Sequence, residues 1–140
     1  MFAPTMIETA LMANLGIENA VSNGMVFTQT DDYGMFIMDT TSTYGTPDPP
    51  RLGQVELFTL GGLWTQPVDI DHTNFKCHLF GALVYNESFP QFESVDAGFW
   101  TVTIPFDVPS VAPTATYYIT ISAVAQDGSE LFSIDTSFRF

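Results

Sequence analysis

The chain has 140 residues, of which 46% are hydrophobic and only 14% are charged. A chain of this length usually forms one domain with a single core. Sixteen acidic residues against three basic ones leave a formal charge of −13, which repels phosphate backbones and excludes nucleic acid as a partner. The single cysteine, Cys77, can build neither an internal disulfide nor a four-ligand zinc site.

Residues 1–24 are interpreted as an N-terminal extension. The first 20 residues contain no basic residue, and a proline and two glutamates interrupt their apolar runs, so they do not resemble a secretory signal. Thr5 followed by Glu8 fits a capping box, and apolar residues then recur at helical spacing. We therefore predict a short helix in this extension and a separate domain over residues 25–140.

Downstream, apolar and polar residues alternate in short runs separated by Pro, Gly and Asp, which is typical of strands and turns. In one such run Trp100, Val102 and Ile104 share a face, while Thr101 and Thr103 share the other. The spacing favours an all-β sandwich of seven or eight strands. The predicted strands cover 25–30, 33–41, 54–60, 62–69, 74–85, 98–107, 116–126 and 130–140.

Few residues suggest catalysis. The segment from Asp69 to His72 has neither a calcium-loop length nor a paired-histidine spacing, so a solvated loop is favoured over a metal site. Cys77 and His78 are adjacent in a predicted strand and point to opposite faces, so they cannot act as nucleophile and base. No GxSxG elbow, P-loop or dinucleotide fingerprint is present. We predict no enzyme activity, no metal and no cofactor.

The tripeptide from Asn86 to Ser88 is a glycosylation sequon. It has physical meaning only in a chain that passes through a secretory lumen. An unmodified loop after a strand is the favoured reading, and Asn86 remains the candidate glycosylation site.

Aromatic residues make up 14% of the chain, including 13 phenylalanines. This is more ring surface than a thin sandwich of this length ordinarily needs. Two readings stay open on composition alone: a tightly packed aromatic core with a partner-binding face, or rings that line a cavity.

Three segments of the sequence resemble the MD-2-related lipid-recognition (ML) family. They are PDPPRLGQVELFTLGGLW at 47–64, FKCHLFGALVYNESFP at 75–90, and the stretch from WTVTIPFDVPSVAP to the end at 100–140. The last is the most specific, because its Pro-rich segment, its aromatic-rich strand and AQDGSELF follow in the family's order and spacing.

The resemblance implies an immunoglobulin-like sandwich of two antiparallel sheets that binds or transfers a lipid, without chemistry, by inserting it between the sheets. The implied partner is a lipid or sterol-like ligand, with at most transient membrane contact. The apolar residues expected to face the ligand are Phe58, Leu60, Trp64, Phe80, Trp100, Val102, Ile104, Phe106, Ile119, Ile121, Phe132 and Ile134.

The chain departs from the family at its cysteines. Family members usually carry several disulfides, including a cysteine in the last strand, where this chain has Ser133. Without such bridges the sheets are held by packing or by assembly, so the alternative function is a structural subunit of a filament or large complex, as a homo-oligomer or with other chains. The resemblance implies an extracellular or endolysosomal location, while the single cysteine and the lack of a signal leave an intracellular one open.

Overall fold

The computed structural model describes residues 19–21, 24–31 and 33–140 as a sandwich of two antiparallel sheets. The predicted all-β, two-sheet architecture is confirmed, and the predicted N-terminal helix lies outside the described residues. The strands are β1 (Asn19–Val21), β2 (Val26–Asp31), β3 (Phe36–Met38), β4 (Tyr44–Thr46), β5 (Val55–Trp64), β6 (Val68–Leu79), β7 (Ala82–Val95), β8 (Gly98–Asp107), β9 (Thr116–Ala125) and β10 (Glu130–Arg139).

The two sheets differ in size. The larger has the strand order β1-β2-β10-β9-β6-β7, so β7 is an edge strand. In the smaller sheet, β5 pairs with β8 along its whole length, and β3 and β4 both pair with the opposite side of β5. A 3₁₀ turn, Thr40–Ser42, links β3 to β4. No helix in the described part of the chain is long and apolar enough to cross a bilayer.

The sequence prediction was wrong to divide β5 at Gly61-Gly62. Both glycines lie inside one continuous strand. A side chain at Gly62 would place Cβ 2.4 Å from the carbonyl oxygen of Ile37 and 2.4 Å from the ring of Phe36. A side chain at Gly61 would come within 2.5 Å of Cβ of Ser42. Glycine at these positions therefore lets β3 and the 3₁₀ turn lie close to β5. Close approach of another segment is a common reason for glycine within a strand.

The predicted strand 74–85 was also wrong, because it contains a hairpin. Phe80 and Gly81 both have positive φ, 52° and 78°, which is the conformation of the two central residues of a type I′ turn. The missed strand β7 then runs to Val95 and contains Pro90. Proline lacks a backbone donor and is confined largely to edge strands, which is where β7 lies.

Aromatic rings fill the interior between the sheets. Phe36 stacks on Phe132 with a centroid separation of 4.5 Å, and Trp64 lies 5.4 Å from Trp100. Phe132 is also 5.8 Å from Trp64 and 6.2 Å from Trp100. These four side chains are almost completely buried. Ring pairs at such separations are favourable beyond their area burial, so packing joins the two sheets here without a covalent bridge.

Candidate functional site

An apolar cavity of about 290 Å³ lies at the end of the sandwich where β8 runs into the Pro-rich loop 108–113. Its walls come from β6, β7, the end of β8, this loop and the start of β9. Buried Cys77 and Tyr117 form its inner part, whereas exposed Val84 and Val111 lie at its rim. The lining residues are Cys77, Leu79, Val84, Tyr85, Phe106, Asp107, Val108, Pro109, Val111, Ala112, Pro113, Tyr117 and Phe140.

A bulge in β7 brings two consecutive side chains to this cavity. Leu83 pairs with His78 and Tyr85 pairs with Cys77, so Val84 is an extra residue with no partner of its own on β6. Successive residues of a regular strand point to opposite faces, but both Val84 and Tyr85 line the cavity. Such a bulge re-aims side chains where it interrupts the ladder.

Two interactions fix the loop and the inner wall. The hydroxyl of Tyr117 donates a hydrogen bond of 2.7 Å to the carbonyl oxygen of Pro113. The Tyr117 ring stacks on Phe138 at 5.6 Å and lies 5.2 Å from Phe140. The hydroxyl proton of Tyr117 is thus already used in a bond within the protein. Its apolar ring lines the cavity.

The ionisable groups at the cavity are held mostly neutral. Burial raises the pKa of the Cys77 thiol to about 11. A hydrogen bond to Glu87, followed by burial, raises the pKa of Tyr85 to about 12, and burial also raises the pKa of Tyr117. Among the lining residues only Asp107 carries a charge, and none is basic. The site is therefore an apolar space with one negative charge.

Two other depressions in the described chain are less suited to an apolar ligand. One, of about 350 Å³, is lined by Gln66, Asp69, Gln126, Asp127 and Ser129 together with a few apolar residues. The other, of about 370 Å³, contains Arg139 and two threonines besides apolar residues. Apolar ligand sites usually have mainly hydrophobic and aromatic linings with few polar groups.

Among the residues predicted to face a ligand, Phe106 alone lines this cavity. Phe80 lies in the β6–β7 turn and is 80% exposed. Val102 is half-buried on β8. The others are buried in the core, where several of them are in the aromatic cluster: Phe58, Leu60, Trp64, Trp100, Ile104, Ile119, Ile121, Phe132 and Ile134.

Sequence reasoning missed the loop side of the cavity. No loop residue after Phe106 was predicted to face a ligand, yet Val108 is only 5% exposed and lines the cavity. The sequence signal that could have indicated this wall is the presence of apolar residues between prolines in a loop. The contribution of Val84 had no such signal, because it depends on a bulge.

The other candidate residues are separate from the cavity. His72 Nδ1 lies 2.7 Å from Asp71 Oδ2, and no group of three or more His, Cys, Asp or Glu side chains that could hold a metal occurs among the described residues. Asn86 lies within β7, exposed and paired with Lys76. The expectation that Asn86 follows a strand was therefore wrong, while its glycosylation stays a prediction.

Comparison with solved structures identifies the fold. The chain matches chicken MD-1, in a crystal structure of its complex with lipid IVa, with a TM-score of 0.56 and 11% identity over 88% of this chain and 96% of that one. The chain has an ML-like fold. A Niemann-Pick type C2 protein from Japanese carpenter ant matches with a TM-score of 0.44 and 12% identity, over 88% of this chain and 97% of that one.

No protein-family model matches this sequence, and no curated protein sequence matches it significantly. The likeness to MD-1 is therefore one of fold, at 11% identity. The resemblance found in the sequence is confirmed at the level of the fold.

Proposed function

We propose that the chain binds a lipid chain or another apolar small molecule in the cavity between Val84, Phe106 and Tyr117, without catalysis. The observation that carries this proposal is an apolar cavity of about 290 Å³ that opens at the surface beside the buried core. The shared fold with MD-1, whose crystal structure contains lipid IVa, supports it.

The size of the cavity limits the ligand. Sites for small molecules usually measure about 300–1,000 Å³, so this one suits a small apolar molecule or part of one acyl chain. Burying a methylene group gains about 0.8 kcal/mol, so a ten-carbon chain gains at most about 8 kcal/mol, which corresponds to a dissociation constant of about 1 μM. Affinities in the micromolar range or weaker are therefore expected.

The charges favour an uncharged ligand. Asp107 at the cavity wall and Glu87, which accepts a hydrogen bond from Tyr85, are both acidic. A ligand carboxylate would approach these groups with no basic residue among the lining side chains to receive it. The net charge of −13 likewise opposes lasting contact with anionic membranes, so any transfer between membranes would depend on brief contact.

The same groups support a function without catalysis. A thiol whose pKa is raised to about 11 is almost entirely protonated at neutral pH, and the thiolate is the nucleophilic form. The Tyr117 hydroxyl is occupied by Pro113. Neither group is arranged to attack a ligand or to transfer a proton to it.

The direct test uses Nile red, a neutral fluorescent dye, displaced by decan-1-ol or by decanoate. The wild-type chain should bind the dye, and decan-1-ol should displace it at least about tenfold more effectively than decanoate above the pKa of decanoate, a difference of about 1.4 kcal/mol. Acidification that protonates decanoate should reduce this difference.

Two neighbouring residues provide a matched pair of variants. Val84 and Leu83 are 51% and 50% exposed, but only Val84 lines the cavity. Val84→Trp should weaken dye binding at least about tenfold by filling the cavity, and Leu83→Trp should change it less than about twofold. A wild-type chain that binds neither the dye nor decan-1-ol would refute the proposal, as would equal effects of the two substitutions.

A further inference from the structure

The outer face of the smaller sheet is almost free of charge. Its outward residues on β3, β4, β5 and β8 alternate with the buried residues of the same strands. We call this surface the neutral face. Its residues are Ile37, Tyr44, Thr46, Val55, Leu57, Thr59, Leu63, Phe99, Thr101, Thr103 and Pro105, with the acidic Asp107 at one end, and Ser42 covers the buried Gly61 between them.

Strand register arranges these residues in rows across the sheet. Ile37 pairs with Leu63, and Leu63 pairs with Phe99, so three exposed apolar side chains are adjacent on three strands. A second row contains Thr59 and Thr103, whose hydroxyls lie 3.1 Å apart and satisfy each other. The neutral face therefore combines apolar contact area with one pair of hydroxyls that satisfy each other.

Charged residues border the neutral face or lie elsewhere. Asp39, beside the 3₁₀ turn, accepts hydrogen bonds from the hydroxyls of Thr41 and Ser42. The larger sheet, by contrast, has exposed or half-exposed charged side chains at Asp69, Lys76, Asp135 and Arg139. For a chain with a net charge of −13, the neutral face is where a second chain of the same charge meets the least repulsion.

We propose that the neutral face binds the neutral face of a second copy of this chain, forming a homodimer of two sandwiches. β5 and β8 have ten residues each, so they are about 33 Å long, and three strand positions span about 14 Å. The face thus covers about 460 Å² per copy. Two copies bury about 900 Å², just below the roughly 1,000 Å² of a stable specific interface, so the dimer is weak and dissociates on dilution.

A second copy fits this surface better than a charged partner does. The apolar residues include Tyr44 and Phe99, and aromatic residues are enriched at interfaces between proteins. A strongly charged partner would contact few charges here, since only Asp107 at the end of the face and Asp39 beside it are acidic. The proposal does not depend on the ligand cavity, which shares only Asp107 with this outer face.

Sedimentation equilibrium of the full chain tests the proposal. Between about 1 μM and about 1 mM the mean mass should rise from that of the 15.4 kDa chain towards twice that value, as expected for a dissociation constant in this range. Raising the salt concentration should strengthen the dimer, because salt screens the repulsion between two acidic chains.

Matched substitutions locate the interface. Leu63 on the neutral face and Leu83 on β7 are 46% and 50% exposed. Leu63→Glu should weaken dimerisation at least about tenfold, and Leu83→Glu should change it less than about twofold. Phe99→Glu, on the adjacent strand, provides a second variant if Leu63→Glu does not fold.

Three results would overturn the proposal. One is a wild-type chain that remains monomeric over the whole concentration range. Another is a dimer that is unaffected by both Leu63→Glu and Phe99→Glu. The third is a dimer that is lost in Leu83→Glu, which would place the contact at the β7 edge.

Discussion

Replacing Glu56 with glutamine is expected to stabilise the protein at neutral pH but much less in mild acid. Glu56 lies on the buried face of β5 with 0% exposure, and neither of its carboxylate oxygens has a hydrogen-bond partner. Its Oε2 lies 2.5 Å from where a Cβ on Gly45 would be, so glycine leaves space for the carboxyl group. Burial, and secondarily the charge of Asp48, raises the pKa of Glu56 to about 8 from 4.5.

The sign of the effect follows from proton binding. Between pH 4.5 and about 8 the folded chain retains a proton on Glu56 that the unfolded chain has released, so the free energy of unfolding falls as pH rises through this window. The slope is about 1.4 kcal/mol per pH unit, so the loss between about pH 5 and about pH 7.5 is about 3 kcal/mol.

Glutamine has nearly the same shape and does not titrate. The difference in unfolding free energy between Glu56→Gln and wild type should therefore increase by about 3 kcal/mol from about pH 5 to about pH 7.5. Urea denaturation at both pH values measures this difference, and the other acidic residues cancel in the comparison. Asp48→Asn should reduce the pH dependence, because it removes one of the two causes of the raised pKa.

A constant difference between the two proteins across this pH range would refute the reasoning. It would mean that the carboxyl group ionises in the folded chain near its ordinary pKa. In that case the Glu56 side chain would be hydrated or hydrogen-bonded in solution, contrary to the buried and unpartnered position in the structure.

Three further predictions concern a glycine and the cysteine. Gly62→Ala should destabilise the protein by about 1–3 kcal/mol in urea denaturation, because the new Cβ would lie 2.4 Å from a carbonyl oxygen and from a ring of β3; a neutral effect would contradict the observed packing. Cys77, with a pKa of about 11 in place of 9.0, should react with Ellman's reagent at pH 8 about 100-fold more slowly than an ordinary thiol, and a fast reaction would show that it is not buried. Because Cys77 is the single cysteine, a reducing agent should leave the thermal midpoint of the monomer unchanged.

The sequence predicted the sandwich because its strands alternate clearly. In β8, the alternation of Trp100, Val102 and Ile104 with threonines gave the correct face, and in β10 Phe132 and Ile134 are buried as their spacing indicates. These faces depend on local periodicity. The turn at Phe80-Gly81 lacked the usual Asn-Gly or Asp-Gly composition, so the hairpin was missed.

The location of the cavity could not be predicted in the same way. Most residues expected to surround a ligand are buried in the core, whereas the cavity lies near Val84 and Tyr117. Its position depends on the bulge in β7 and on the hydrogen bond from Tyr117 to Pro113. Local periodicity indicates neither feature. The buried Glu56 had a visible signal, since it shares the parity of Phe58 and Leu60 in β5.

The edge strand β7 has a consequence for how the protein avoids aggregation. A free edge of 14 residues would ordinarily act as a template on which further strands add, as in amyloid growth. Here Pro90 removes one donor, two irregularities interrupt the pairing with β6, and Glu87 and Glu93 place negative charge along the strand. A second copy adding to this edge would lack some of the hydrogen bonds of a regular ladder and would be repelled by like charges. Continuous sheet extension from this edge is therefore unfavourable even at high protein concentration.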